Sequence, residues 1–172
     1  MFNVVQRVVA ASLAVACVVV QACAWDYASK VDKMMGTVTR TGAIGSYNSL
    51  SLDAPYNGQN TGLLYIRQSS GRPDVRVNIM KGQILCLSVG SGCSVNVRFD
   101  DGKASRLSAV GPSDLSSTTF FINDVSRFLA GARKAKKILI QFTVYQNGEQ
   151  VLEFSPKELL SWNAATVTTK KN

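Results

Sequence analysis

Cys86 and Cys93 have six residues between them in KGQILCLSVGSGCSVNVRFDDG, which runs from Lys81 to Gly102. Three kinds of chemistry use a cysteine pair. Thiol–disulfide exchange favours CxxC spacing and a thiolate held at low pKa, and neither is announced here. A zinc site built on the pair would need further ligands, yet the chain has no histidine, and its other cysteines, Cys17 and Cys23, both fall in the N-terminal segment, which reads as an export signal. A structural disulfide needs only the two thiols and an oxidising compartment. The pair is therefore expected to form an intramolecular disulfide across the end of a β-hairpin, with the LSVGSG tip the part left to touch a partner.

The absence of histidine removes Ser-His-acid and Cys-His catalysis. No SxxK arrangement follows the N-terminal run to offer a serine with a lysine base. The eleven carboxylates leave acid-catalysed hydrolysis as the least favoured reading: Asp100 and Asp101 adjoin a turn, Asp124 adjoins a helix start and Glu158 fits a cap. LSVGSGC lacks the GK[ST] ending of a phosphate loop, and no dinucleotide or calcium signature appears. The chain is expected to be a non-enzyme without cofactor or metal.

A basic cluster at Arg133, Lys134, Lys136 and Lys137, with Arg127 close by in sequence, is the other feature that could bind. Read blandly, it is a solvated helix end whose positive charge complements the helix carbonyls. Read functionally, it is a patch for an anionic partner such as cell-wall polymer or anionic lipid. Tyr47, Tyr56, Tyr65 and Tyr145 could stack on bases, but strand tyrosines usually fill cores, and a nucleic-acid role is disfavoured.

The elements that position these residues are mostly strands. DVRVNI sets Val75, Val77 and Ile79 on one face, and SVNVRF does the same with Val95, Val97 and Phe99. Further strands are predicted at 48–53, 62–68, 83–88, 104–109, 118–122, 138–146 and 149–154. Asp101-Gly102 and Asn147-Gly148 supply tight-turn chemistry for two hairpins. Val125, Phe128, Leu129 and Ala132 follow the spacing of an apolar helix face over 125–135, with Asn123 or Asp124 as cap. SPKELLSW, with Ser155, Pro156 and Glu158, predicts a short C-terminal helix that brings Leu159, Leu160 and Trp162 onto the core. The fold class is mainly β: an antiparallel β-sandwich or curved barrel with one main helix and a short C-terminal one.

The first residues are set apart. MFNVVQR, the apolar VVAASLAVACVVV and the small residues Ala22-Cys23-Ala24 form an export signal. Cleavage after Ala24 is the favoured outcome; lipidation of Cys23, after a lipoprotein signal ending at 22, is the second, and a retained membrane anchor is the third, disfavoured because the apolar run is short for a span of ~20 residues. The organisation is then a signal over 1–24, a lead-in over 25–47 with at most one short helix, anchored by Trp25, Tyr27, Val31 and Met34, a single β-rich domain over 48–165 and a basic flexible tail over 166–172. Of 19 basic side chains only Arg7 lies in the signal, so the remainder carries 18 minus 11, or +7. An exported basic chain meets anionic partners in the envelope.

Trp25 and Tyr27, Asp53 with Pro55-Tyr56, Lys81-Gly82-Gln83, Cys86 and Cys93, Val97 to Gly102, Phe120-Phe121-Ile122, Phe128-Leu129 and Glu153-Phe154 together form a pattern. It resembles a widespread group of small exported or lipoprotein-like bacterial and prophage proteins of unknown function. More distantly, its layout is similar to accessory proteins of secretion systems and the invasion-associated locus B family. The resemblance implies an exported, disulfide-closed β domain and supplies no catalytic residues. The functional expectation is a periplasmic or lipid-anchored interaction protein with an envelope protein partner: a secretion or assembly accessory, or an immunity or exclusion factor. Its oligomeric state is not legible.

Overall fold

The computed structural model describes residues 23–69, 71–87 and 92–162. Most of the expected export signal, positions 88–91 of the LSVGSG tip and the basic tail at 166–172 lie outside the described residues.

The elements in chain order are β1 (Asp26–Val31), β2 (Val38–Gly45), β3 (Gly62–Gln68), β4 (Asp74–Ile79), β5 (Cys93–Phe99), β6 (Ser105–Val110), β7 (Thr119–Ile122), α1 (Val125–Ala132), β8 (Ile138–Val144) and β9 (Gly148–Phe154). All strands join one sheet in the spatial order β1, β2, β3, β4, β7, β6, β5, β8, β9. Every neighbouring pair is antiparallel. The fold is thus mainly β with one main helix, as the alternating sequence requires, and the sheet is open rather than a closed barrel.

Alternation decides which face is covered. β4 buries Val75, Val77 and Ile79, and β8 buries Ile138, Ile140, Phe142 and Val144. The sheet bends so that the two halves share one core: the Leu152 side chain on β9 lies directly against Gly62 on β3, where a Cβ would collide with it. Helix α1 adds Phe128, Leu129 and Ala132, and Phe128 meets Phe99 edge to face at 5.7 Å between ring centres. Each large apolar side chain removed from water in this way contributes about 1.5–3 kcal/mol before chain entropy is set against it.

Several sequence expectations need correction. The stretch 25–47 holds no helix; it forms the β1–β2 hairpin, closed by a turn in which Gly36 has φ +65°. The Asp32 carboxylate accepts from the N–H groups of Met34 and Met35 at 2.8 and 3.0 Å, so a side chain supplies the acceptors the turn needs. Of the four expected anchors only Trp25 is buried; Val31 and Met34 are exposed, and Tyr27 is 44% exposed.

The stretch 48–53 is not a strand, although Leu50 and Leu52 are buried. Its polar groups are satisfied one at a time: Leu50 N–H donates to Asn60 O, and Asp53 N–H donates to Asn147 Oδ1. Alternate burial without a ladder produced the same period. The described part of 83–88 likewise makes a single bridge, Ile84 to Val144.

The helix stops at Ala132, three residues short of expectation, and Asp124 at its N-cap makes no side-chain cap bond. The Asp124 carboxylate instead accepts from Ser108 N–H at 3.4 Å. SPKELLSW forms no helix and bends at 157–158: Ser155 Oγ donates to Glu153 Oε1, Pro156 bridges to Cys23, and Leu160 and Trp162 reach the core while Leu159 stays half exposed. Both expected hairpins exist with shifted strain. Positive φ falls on Asp100 at the first turn, and on Gln146 and Gly148 at the second.

Candidate interaction surfaces

The two ends of the β5, β6 and β8 strands carry different chemistry. One end holds Cys93, the start of β5, opposite Ala109 near the end of β6. Cys86 and Cys93 are joined by a disulfide, as expected, with Cα atoms 4.9 Å apart. Only Cys93 lies in a strand, so the bond ties an irregular segment to the sheet rather than closing a regular hairpin.

That irregular segment is held on both sides. Ile84 N–H donates to Ser117 O, Leu85 N–H to Thr143 O, and Gly111 N–H to Leu87 O. The connections 80–87 and 111–117 therefore run beside each other across this end. They carry Met80, Leu85, Leu87 and Leu115, exposed by 63%, 52%, 69% and 77%. Leu115 also has φ +60°, a conformation in which leucine is uncommon, and it holds the side chain outside the core. Isolated surface leucines need no explanation; here four exposed apolar side chains fall on two connections that are hydrogen-bonded to each other. Leu85 and Leu87 fall in the expected strand 83–88, and Leu115 has no expected role; the proline and serines around Leu115, in GPSDLSS, are the signal that it sits on a loop.

The opposite end holds the Asp100 turn and the entrance to β8. One oxygen of Asp100 accepts from the N–H groups of Lys136 and Lys137 at 2.8 and 2.9 Å, and Asp100 N–H donates to Lys137 O. This places Lys136 and Lys137 over the turn. Arg133 is committed elsewhere: its Nε donates to Trp162 O at 2.8 Å and ties the helix end to the C-terminal strap. Lys134 and Lys136 are exposed. Arg127 lies nearer the helix start, lining a groove of about 340 Å³ with Arg72 and Asp124. The five cations thus divide into a lysine group with Lys134 and Lys136 exposed and Lys137 half-buried, a structural arginine and a separate arginine. Cys23 is half-buried, a free thiol among the described residues, and its carbonyl accepts from Lys157 N–H.

The carboxylates are dispersed among structural duties. Asp74 pairs with Arg67 at 2.9 Å, Asp32 closes the first turn, Asp100 joins two loops, and Asp114 accepts from Ser116 N–H. Among the described residues no group of three or more metal-ligating side chains converges. The Asp32 carboxyl is held below the ordinary aspartate value by the N–H groups of Met35 and Met34. Of the tyrosines considered for stacking, Tyr65 is covered by the guanidinium of Arg76, 4.5 Å from its ring centre.

A second groove of about 390 Å³ follows β1 and β2, lined by Tyr27, Ser29, Arg40, Thr41, Ser161 and Trp162. Comparison with protein-family models, curated proteins and solved structures gives no match.

Proposed function

We propose that this protein is a non-enzymatic binding component of the bacterial envelope, whose disulfide-tied end docks onto another envelope protein. The observation that carries the reading is the exposed Met80, Leu85, Leu87 and Leu115 set on two connections that brace each other beside the Cys86–Cys93 bond. Apolar side chains held on a braced surface bind without a large ordering cost. An assembly accessory or an immunity or exclusion factor would use such a surface. The export signal read from the sequence supports the envelope as its location, in the periplasm or lipid-anchored through Cys23.

The test is a crosslinking pull-down from envelopes of the native host, comparing the unaltered protein with a Leu85→Ser, Leu87→Ser, Leu115→Ser variant of equal stability. A recurrent partner captured only by the unaltered protein is expected. No recurrent partner, or equal capture by both, overturns the reading.

A second reading draws on the other end, where Lys134 and Lys136 are exposed and make no ion pair among the described residues. Here the partner is cell-wall polymer or anionic lipid. Sedimentation with purified wall and with anionic vesicles, before and after Lys134→Glu and Lys136→Glu, decides it: equal retention rejects the patch.

A further inference from the structure

The sheet has two edges, and they are treated differently. The β9 edge is covered by the segment after β2: Tyr47 N–H donates to Glu153 O at 2.7 Å, Asn48 Nδ2 donates to Val151 O at 2.8 Å, and Glu153 N–H donates to Asn48 Oδ1 at 2.8 Å. The β1 edge has no such cover among the described residues. All six of its residues are exposed, and its only strand neighbour is β2. Alternate N–H and C=O groups therefore point away from the sheet, along a strand with no proline or bulge to blunt it.

The sequence of that strand is complementary to itself. In DYASKV, Asp26 and Lys30 sit four apart and so project from the same face, with Ala28 midway between them. Neither charge has an ion-pair partner among the described residues. Within the sheet Asp26 faces Ala43 and Lys30 faces Thr39, so β2 offers neither an opposite charge directly across. If two copies of β1 run antiparallel about a two-fold axis through Ala28, Asp26 of each stands opposite Lys30 of the other, and Tyr27 opposite Ser29. The small Ala28 side chain occupies the axis, where the two copies come closest. A strand of unrelated sequence gains the backbone bonds but lacks the paired charges.

We propose that this protein self-associates through β1, edge to edge and antiparallel in the Ala28-centred register, joining two sheets into one. This interface is separate from the apolar end and independent of its proposed partner. Opposite charges directly across a strand pair are favourable and like charges are unfavourable. The symmetry doubles each effect, because every substitution occurs in both copies.

The experiment is sedimentation equilibrium and native mass spectrometry on the protein purified from cells expressing the full chain. The unaltered protein is expected to show a concentration-dependent dimer up to about 100 μM, as suits a small interface. Asp26→Lys places lysines opposite one another, and Lys30→Asp places aspartates opposite one another. Each is expected to weaken the dimer about tenfold or more. The double variant Asp26→Lys, Lys30→Asp is expected to restore it, and mixing the two single variants to give a heterodimer. These side chains are exposed, and far-UV circular dichroism and melting temperature check that each variant keeps the fold. A monomer throughout the concentration range overturns the proposal. So does a dimer indifferent to the single changes, or weakened by them without recovery in the double variant.

Discussion

The Asn60 carboxamide exchanges two hydrogen bonds with the backbone of Lys81: Nδ2 donates to Lys81 O at 2.8 Å, and Oδ1 accepts from Lys81 N–H at 3.1 Å. Asn60 is wholly buried. Its own carbonyl accepts from Leu50 N–H, and its N–H donates to Ser49 Oγ. Asn60 thus stands in for a missing strand neighbour, its backbone bonded to the irregular 48–53 segment and its side chain to the connection that leads to Cys86.

Replacing Asn60 with alanine leaves the N–H and C=O of Lys81 without these partners. The expected cost is about 2–3 kcal/mol, the penalty for unsatisfied polar groups in a part-buried site. Urea denaturation of the variant measures it directly; a loss below about 0.5 kcal/mol would mean that water replaces the carboxamide freely.

Gly131 is inside α1, where alanine is ordinarily better by about 1 kcal/mol. Here a Cβ would run into the ring of Phe99, contacting Cε2, Cδ2 and Cζ. Phe99 is fixed in turn by its edge-to-face contact with Phe128. Gly131→Ala is therefore expected to destabilise by a net ~1–2 kcal/mol, overpacking outweighing propensity. A stabilised variant in thermal denaturation would show that the helix rides freely over the sheet.

Cys86→Ser with Cys93→Ser removes a bond that closes a short loop. Chain entropy assigns such a loop about 2–3 kcal/mol. Both cysteines border the core without being among its buried residues, so the expected outcome is a folded but less stable protein, with a lower denaturation midpoint matched by the unaltered protein under reductant. Non-reducing peptide mapping of natively exported material should return the Cys86–Cys93 link, and two freely alkylated thiols would contradict it.

Asp32 gives the β1–β2 turn a pH dependence of known sign. Its carboxyl titrates below the ordinary aspartate value because Met35 and Met34 donate to the charged form. Its contribution to the turn is accordingly present above about pH 4 and is lost as pH falls through the lowered folded value. NMR titration should show the Met34 and Met35 amide shifts moving together with the Asp32 carboxyl at that depressed midpoint. Asp32→Asn keeps an acceptor without a titrating group and should flatten the curve. A midpoint at or above the ordinary value would remove the two hydrogen bonds.

The fold was largely legible because half-buried strands leave a period of two: β3, β4, β5, β8 and β9 fall within two or three residues of where alternation places them. It failed where another cause produced, or hid, that period. Leu50 and Leu52 alternate into the core from a segment whose hydrogen bonds go to side chains such as Asn147. The β1–β2 hairpin was hidden because β1 buries neither face, so it carries no apolar stripe. SPKELLSW has the composition of a capped helix, but Pro156 is held against Cys23, and Leu160 and Trp162 are drawn to the core in an irregular strap. The disulfide was readable from cysteine arithmetic. The surface beside it was not, since exposure of Leu85, Leu87 and Leu115 depends on contacts between connections far apart in sequence.

Docking through the disulfide-tied end is tested most directly by placing a photo-crosslinking side chain at Leu115, and separately at Asp101 in the turn at the opposite end of β5 and β6, in cells that express the protein natively. A discrete adduct of one partner from position 115, with none of that mass from position 101, is the expected result. No adduct from 115, or the same adducts from both positions, would contradict docking through that end.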